Sequence, residues 1–297
     1  MCDLRRRRKN HSIAEFGMAE DLEFYKITGA GNDFILGDNR HGRWTAHPLE
    51  RLSRGLCRRA LSVGADGLIL IENSNRARFR IRIFNSDGTE TRMCGNGARC
   101  AARFAFLKVI AGRQMTMETP SGVLEAEILS SGAVRVEVPG LAEPPRRMEI
   151  TGHGRPIPCL LTHTGVPHAV VFVKDVERVP VASLGAILRR APELGAEGAN
   201  VDFVSAEAGP PFPVRTFERG VEGETLACGT GVTAAAWVLR HLGKAGDRVE
   251  VRVRSGQVLV VEIDPSRVGK PLFRLTGEAR VVYRGYLSQE SLLEALA

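Results

Sequence analysis

Met93-Cys94-Gly95-Asn96-Gly97 and Ala227-Cys228-Gly229-Thr230-Gly231 are two stretches of this 297-residue chain that share one pattern, Cys-Gly-x-Gly. Their cysteines lie 134 residues apart. Internal repetition at a fixed offset is typical of a chain built from duplicated structural units. The two stretches therefore predict that the chain consists of two halves with the same fold.

Three further pairs of landmarks repeat in the same order at nearly the same offset. They are Ser121-Gly122 with Ser255-Gly256, Gly64-Ala65-Asp66 with Gly198-Ala199-Asn200, and Thr28-Gly29 with Thr164-Gly165. We predict a first half at residues 21–140 and a second at 141–277. A basic tail at 1–20 precedes them, and a segment at 278–297 is expected to pack back on the first half.

The local sequence predicts mixed secondary structure in both halves. A helix is expected after each Cys-Gly-x-Gly, at 98–109 and 232–242, ending before Gly112 and at Gly243. Residues 232–239 are apolar nearly all round, so the second helix should be buried. Short segments rich in Val, Ile and Phe predict strands at 80–84, 134–138, 169–173, 201–204, 214–217, 249–254 and 258–263. We predict an α/β (α+β) fold in which each half is a strand-rich layer wrapped around one central helix.

Composition excludes several classes of protein. The chain is 43% hydrophobic, as a globular core requires, and no apolar run approaches the roughly 18 residues that a membrane-spanning helix needs. Six cysteines without a Cys-x-x-Cys pair are too few for a disulfide scaffold and show no zinc-site spacing. We expect a cytoplasmic protein with no metal site and no membrane partner.

Nearly half of the net charge of +7 lies in the first seventeen residues, which contain the basic run Arg5-Arg6-Arg7-Arg8-Lys9. Such a run could bind nucleic acid or an anionic surface, or be a solvated tail. Since no nucleic-acid-reading motif accompanies it, we expect a solvated tail and no nucleic-acid partner. Met18 offers an alternative start to the chain.

A cysteine at a helix start can act as an acid or a base. The positive end of the helix dipole and the free backbone N–H groups favour the thiolate, and the neighbouring glycines let an anionic ligand approach closely. Two such cysteines facing one cleft, Cys94 and Cys228, would suit inversion at a carbon acid, where one base removes a proton and an acid on the opposite face returns one. The alternatives are buried structural thiols or a disulfide between the halves. The remaining cysteines, Cys2, Cys57, Cys100 and Cys159, are expected to be packing residues.

Six motifs together resemble the diaminopimelate epimerase family, from about residue 22 to the C-terminus. They are residues 28–34, 84–88, 94–100, 165–168, 198–201 and 218–231, in the order and spacing of that family. The resemblance implies two pseudosymmetric α/β domains in a cytoplasmic homodimer. It further implies interconversion of LL- and meso-2,6-diaminopimelate without pyridoxal phosphate or metal, in lysine and peptidoglycan precursor synthesis.

The resemblance also implies a role for each residue of the site. Cys94 and Cys228 would be the catalytic thiols, and His168 and Glu218 would adjust their ionisation. The backbone N–H groups at the two helix starts would hold the reacting carboxylate; these belong to Gly95, Asn96, Gly229 and Thr230. The remaining substrate contacts would come from Asn32, Asn85, Asn200, Glu218 and Arg219.

Structural roles remain open for several of these residues. Asn32 and Asn85 could simply shape turns, His168 could be a satisfied core histidine, and Glu218 with Arg219 could form a surface ion pair of little energetic value. Val166 and Gly67 depart from the family pattern at positions that contact the distal end of the substrate.

Four other functions share some features with this sequence. One is a related cofactor-independent racemase, although Asn96 stands where proline racemases typically carry His. Another is a phenazine-type isomerase, which shares the fold but lacks the cysteine pair. A dinucleotide-binding loop at Gly29-Ala30-Gly31 fails because Phe34 replaces its last glycine. A cysteine hydrolase would need only one nucleophilic thiol with a histidine base.

Overall fold

Hydrogen-bonded pairings join the strands of both halves into one continuous series. The computed structural model describes residues 22–138, 144–266 and 271–297. The strands are β1 (Leu22–Gly29), β2 (Asn32–Asp38), β3 (Gly67–Glu72), β4 (Phe79–Asn85), β5 (Glu90–Thr91), β6 (Gln114–Thr119), β7 (Gly122–Ile128), β8 (Val134–Val138), β9 (Arg146–Gly152), β10 (Arg155–His163), β11 (Pro167–Phe172), β12 (Asn200–Val204), β13 (Phe212–Glu218), β14 (Gly223–Thr225), β15 (Arg248–Arg252), β16 (Val258–Asp264), β17 (Leu272–Gly277) and β18 (Arg280–Leu287). The helices are α1 (Leu49–Leu56), α2 (Gly95–Leu107), α3 (Val181–Leu188), α4 (Gly229–His241) and α5 (Gln289–Leu296).

The strand pairings repeat from one half to the other. The first half runs β18-β1-β2-β3-β4-β6-β7-β8, and the second runs β9-β10-β11-β12-β13-β15-β16-β17. In both, the third strand pairs in parallel with the fourth, and the fifth with the sixth. The antiparallel pairing of β8 with β17 joins the halves. The predicted fold class of two duplicated α/β halves is therefore confirmed.

The C-terminal β18 lies beside β1, and so occupies in the first half the place that β9 occupies in the second. The following helix, α5, packs on α1, where a side chain at Gly55 would overlap the backbone of Ala295. The first half thus contains both ends of the described chain. The predicted boundary between the halves, at residues 140 and 141, and the basic tail at 1–20 lie outside the described residues.

One apolar core surrounds the two central helices. The helix α2 packs against β1, β7 and β8, and α4 against β10, β11, β12, β15 and β16. Both helices contribute to the same buried cluster, which extends through the junction of the halves. Two smaller clusters lie outside the sheets, one beneath α1 and α5 and the other beneath α3. The prediction of a buried second helix is confirmed, since most of its side chains are inaccessible.

All seven strands predicted from apolar segments are present. Both central helices begin three residues earlier than predicted, because each cysteine itself is the N-cap and the glycines form the first turn. The second helix ends as predicted, with Gly243 in the left-handed region at φ 67°. The first helix ends at Leu107, two residues before its predicted end, and the chain turns at Val109 with φ 57°, so Gly112 is not its C-terminal stop.

Candidate active site

Cys94 and Cys228 occupy equivalent positions at the starts of α2 and α4. Each is an N-cap with an extended backbone. The Cys94 sulfur accepts a hydrogen bond from the N–H of Gly97 at 3.4 Å, and the Cys228 sulfur accepts one from Gly231 at 3.4 Å. Both sulfurs therefore lie at the positive end of a helix, with a backbone donor that favours the charged form.

The two helix starts meet at the junction of the halves. A Cβ added to Gly229 would lie only 3.7 Å from the Cα of Gly95. The buried Leu275 of β17 packs below both glycines, with its Cδ2 at 3.5 Å from the Cβ position of Gly95 and 3.2 Å from that of Gly229. A methyl group on Gly229 would be in ordinary van der Waals contact with Gly95, and its tightest contact would be the 3.2 Å to Leu275. The structure brings the two predicted helix starts together.

Asn96 connects the two halves at this point. Its Nδ2 donates to Asn32 Oδ1 at 2.5 Å and to the carbonyl of Ala227 at 3.1 Å, next to Cys228. Its Oδ1 accepts from Arg99 Nη2 at 2.7 Å. Since both amide hydrogens and the oxygen are engaged, the side chain of Asn96 holds the loops together, and its backbone N–H remains the group suited to a ligand.

Asn32 belongs to the same network. Its Nδ2 donates to Asp66 Oδ2 at 2.9 Å, and the neighbouring N–H of Asp33 donates to the same oxygen at 3.1 Å. Arg59 then bridges the two carboxylates, with 2.6 Å to Asp33 and 2.8 Å to Asp66. These contacts fix the orientation of the Asn32 amide at the first helix start.

Negative charge surrounds Cys228. Burial raises the pKa of its thiol well above the usual value, and the carboxylates of Glu218 and Asp202 raise it further. The hydroxyl of Thr230, 3.4 Å from the sulfur, and the N–H of Gly231 act in the opposite direction. Burial also raises the pKa of Glu218. In this arrangement Cys228 is held as the neutral thiol.

The surroundings of Cys94 are different. Burial raises the pKa of its thiol as well, and the hydrogen bond from Gly97 opposes that rise. Glu218 adds to the increase, whereas the guanidinium of Arg99 lowers the pKa. Cys94 therefore has a cation nearby, Arg99, whereas Cys228 has a second carboxylate, Asp202.

A chain of hydrogen bonds fixes His168 in one orientation. The backbone N–H of Arg219 donates to Asn200 Oδ1 at 2.6 Å, so the amide NH₂ of Asn200 must face His168 Nε2, at 3.2 Å. An N–H donor at Nε2 requires a lone pair there, which leaves the proton on Nδ1, 2.7 Å from Asp202 Oδ2. The completely buried His168 thus has both nitrogens occupied and can act on the cysteines only through its neighbours.

Asp202 lies below the start of α4. Its Oδ1 accepts from Thr216 at 2.8 Å, and a Cβ on Gly231 would overlap this carboxylate. The sequence did not single out Asp202, Gly97 or Gly231 as site residues. The glycines belong to the Cys-Gly-x-Gly motif and could have been found there, but Asp202 had no such signal.

Three other residues predicted to contact the substrate have polar partners within the protein. Arg219 forms an ion pair with Glu197 at 3.0 Å, so the alternative of a Glu218–Arg219 pair is not what the structure contains. The carbonyl of Thr230 accepts from Thr164 at 3.0 Å. Asn85 has an exposed side chain that donates to Thr89 Oγ1 at 3.0 Å within a turn. This contact agrees with the alternative that Asn85 shapes a turn.

The two departures from the family pattern have different surroundings. A Cβ on Gly67 would lie 2.5 Å from the carbonyl oxygen of Phe84, so β3 has no room for a larger residue there. Val166 lies in the turn before β11, where its carbonyl accepts from the N–H of Thr164 at 3.1 Å. The departure at Gly67 thus lies where β3 and β4 pack too closely for a side chain.

The other described cysteines differ from this pair. Cys57, Cys100 and Cys159 are buried, and all five described cysteines are free, so the alternative of a disulfide between the halves is not realised. Burial raises the pKa of Cys57 to about 11 and that of Cys159 to about 11. It raises the pKa of Cys100 even further. These three thiols have the properties expected of packing residues.

Two features are absent from the described part of the chain, residues 22–138, 144–266 and 271–297. Within them, no helix is long and apolar enough to cross a membrane. The same ranges contain no group of three or more His, Cys, Asp or Glu side chains arranged to hold a metal ion.

Solved structures of other proteins share this fold of two duplicated domains. A Bacillus anthracis protein of the phenazine biosynthesis PhzF family superposes with a TM-score of 0.69 at 15% identity, over 91% of this chain and 99% of its own. A hydroxyproline epimerase from Agrobacterium vitis superposes with a TM-score of 0.67 at 16% identity, over 93% and 94%. At such low identity, these likenesses show the fold alone.

Sequence similarity is more specific. A family model described as diaminopimelate epimerase matches residues 24–139 and 160–282. The diaminopimelate epimerase of Aquifex aeolicus is 42% identical over 91% of this chain and 99% of its own length, and that of Chlorobaculum tepidum is 39% identical over 88% and 100%. The chain belongs to the diaminopimelate epimerase family and is an isomerase, as the sequence motifs implied.

Proposed function

We propose that this protein interconverts LL- and meso-2,6-diaminopimelate by moving a proton between two thiols, without a cofactor. The observation that carries the proposal is the meeting of two equivalent cysteine-capped helix starts at the junction of the halves. Membership of the diaminopimelate epimerase family supports the choice of substrate.

The reaction needs one thiolate and one thiol at the same time. The thiolate takes the proton of the substrate α-carbon, and the C–H electron pair stays on the carbon as a carbanion. The opposite thiol then gives its proton to the other face of that carbon. The configuration is inverted, and the thiolate has changed sides, so the same pair catalyses the reverse reaction.

The helix starts suit the binding of the reacting carboxylate. Backbone N–H groups of Gly95, Asn96, Gly229 and Thr230 would hold this carboxylate, and the positive ends of two helices would stabilise the charge that develops next to it. The same contacts would keep the α-carbon between the sulfurs. Burial keeps water away from thiols that are weak acids in this structure.

The distal end of the substrate requires separate recognition. Asn32, Asn85, Asn200, Glu218 and Arg219 are proposed to hold its amino groups and its second carboxylate. The planar guanidinium of Arg219 suits a bidentate contact to a carboxylate, and its ion pair with the largely exposed Glu197 is of the kind that water or a ligand can replace. Because Val166 and Gly67 depart from the family pattern in this region, a related amino acid is the second candidate substrate.

Isotope exchange tests this mechanism directly. LL-diaminopimelate is incubated with the protein in D₂O without added cofactor, and deuterium at the α-carbon of the meso product is measured by mass spectrometry. Deuterium should enter at that carbon, and Cys94→Ala or Cys228→Ala should lower the rate by roughly 10²-fold or more. Cys159→Ala, a buried thiol in the second half, is the matched control and should retain activity.

Two outcomes would contradict the proposal. Full turnover by either single variant at the helix starts would exclude a two-thiol mechanism. Faster inversion of a monocarboxylic amino acid than of diaminopimelate would transfer the proposal to the second candidate substrate.

A cytoplasmic homodimer is proposed as the working form. Its support in the structure is the outer strand β18, which pairs only with β1 among the described strands and exposes Val282, Tyr283 and Tyr286. Exposed apolar rows of this kind often mark contacts between proteins. Light scattering should give twice the chain mass of 32.3 kDa, and a monomeric mass would contradict the dimer.

A further inference from the structure

Arg99 is a buried cation without a counter-ion. Its side chain in α2 is completely inaccessible, and its Nε has no hydrogen-bond partner. The two contacts it makes are to neutral oxygens, and within the described part of the chain no carboxylate forms an ion pair with it. An uncompensated buried charge is costly, so proteins keep such a group rarely and usually for a function.

The guanidinium points towards the start of its own helix. Helical side chains lean towards the N-terminus, and Arg99 accordingly donates to the carbonyl of Gly95 at 3.4 Å and to Asn96 Oδ1 at 2.7 Å. The absence of a side chain at Gly277 makes room for it, because a Cβ there would lie 3.2 Å from Nε. The charge is therefore placed in the first turn, directly after Cys94.

The second half has no cation at the equivalent place. The residue 134 positions after Arg99 is Thr233, whose hydroxyl donates to the carbonyl of Gly229 at 2.9 Å. The charged groups that act on Cys228 are the carboxylates of Glu218 and Asp202. Those that act on Cys94 are Glu218, from the end of β13, and Arg99.

We propose that Arg99 is a positioning residue that supplies the counter-charge for the Cys94 thiolate, so that Cys94 ionises before Cys228 in the ligand-free protein. The missing anion of this buried site is then the thiolate itself. A catalytic role for this order of ionisation rests on the proposed function, but the order itself does not. The influence of Arg99 on the pKa of Cys94, which opposes the effect of burial, agrees with this assignment.

Arg99 has a second effect through Asn96. Because a guanidinium can only donate, it fixes Asn96 Oδ1 towards itself and directs both amide hydrogens to Asn32 and Ala227. The hydrogen bond and the charge can be separated by substitution. Arg99→Gln keeps a donor but removes the charge, whereas Arg99→Lys keeps both a charge and a donor.

Alkylation without substrate tests the proposal independently of epimerase activity. The ligand-free protein is treated with iodoacetamide across a pH series, and modification of Cys94 and Cys228 is followed separately by peptide mass spectrometry. The measured quantity is the pH at which each rate is half-maximal, because this midpoint reports the ionisation of the thiol, whereas the absolute rate also depends on how easily the reagent reaches each sulfur. In the parent protein the midpoint of Cys94 should lie below that of Cys228.

The variants should then move only one of the two midpoints. Arg99→Gln should raise the midpoint of Cys94 by about one pH unit, which is about a tenfold slower reaction at a fixed pH below the midpoint, and Arg99→Lys should restore most of the difference. Arg103→Gln is the matched control, because it removes the same charge one turn further along α2, and it should leave both midpoints unchanged.

Three results would overturn the proposal. One is an unchanged Cys94 midpoint in Arg99→Gln, even if that variant melts at a lower temperature, since a purely structural arginine would behave in that way. Another is an equal shift in Arg103→Gln. If Arg99→Gln does not fold, the parent protein still decides, because a Cys94 midpoint at or above that of Cys228 contradicts the assigned order.

Discussion

The starts of α2 and α4 have the same backbone and different charges. In both, a cysteine caps the helix, a glycine N–H binds its sulfur at 3.4 Å, and the glycine that follows the cysteine lies at the junction of the halves. Around Cys94 the second charge is the cation of Arg99, whereas around Cys228 it is the carboxylate of Asp202. The two halves thus share the geometry of the helix start but not its electrostatics, and under the proposed two-thiol mechanism this difference selects Cys94 as the first base.

Substitution of the two equivalent glycines should give the largest contrast. A Cβ at Gly231 would overlap the Asp202 carboxylate, which is fixed by His168 and Thr216, and would lie 3.0 Å from Thr216 Oγ1. We expect Gly231→Ala to lower the free energy of unfolding by about 1–3 kcal/mol and to reduce kcat sharply, as measured by urea unfolding and epimerisation assays.

Gly97→Ala is the matched control for that variant. Its Cβ would lie 2.8 Å from the terminal Cδ1 of Ile83, an atom that can move, and alanine gains about 1 kcal/mol of helix propensity over glycine. Stability should therefore change little. If both variants lose the same stability, the rigid carboxylate below α4 is not what distinguishes the two helix starts.

Removal of the second carboxylate should make the two thiols more alike. The charge of Asp202 raises the pKa of Cys228, so Asp202→Asn should lower this pKa, and alkylation of Cys228 should reach its half-maximal rate at a pH about one unit lower. Asp247→Asn is the control, because Asp247 pairs with Arg240 at the far end of the same helix. A Cys228 midpoint that stays constant or rises in Asp202→Asn would contradict this description.

The ends of the two helices should give the smallest effect. Val109 and Gly243 are equivalent residues with φ of 57° and 67°, and only glycine adopts this region without strain. Because Val109 is 85% exposed, Val109→Gly removes little packing and should raise the free energy of unfolding by about 0.5–1 kcal/mol. The reverse change, Gly243→Val, should lower it, and a melting temperature that falls in Val109→Gly would show that the valine is not strained.

Much of the fold could be predicted from the sequence because duplication is visible in it. The Cys-Gly-x-Gly pair, 134 residues apart, indicated the two central helices and their equivalence, whereas the earlier helix start with the cysteine as N-cap was not predicted. Strand segments such as 134–138 were found through their alternation of apolar and polar residues. The end of α2 was misplaced, because a valine in the left-handed region gives no signal in the sequence.

The site could be predicted less completely. Gly95, Gly229 and Asn96 could be predicted from the motif. For Asn96 the prediction concerned only its backbone N–H, and the link that its side chain makes between Asn32 and Ala227 was not predicted. Asp202 could not be found from periodicity, since both faces of β12 are buried and alternation does not distinguish an inner residue there. Arg99 lies within the motif at residues 94–100, but the sequence assigned no role to it.

The sequence by itself determined the duplication, the two cysteine-capped helices and the family to which the chain belongs, because these depend on local residue patterns repeated along the chain. Only the tertiary structure decided how the halves join through β8 and β17, how Asp202 comes to lie under α4, and that Arg99 is buried without a carboxylate. These features arise from contacts between residues distant in sequence. The charge around each thiol is a sum over such contacts, and so the proposed division of acid and base between the two similar motifs depends on the folded protein.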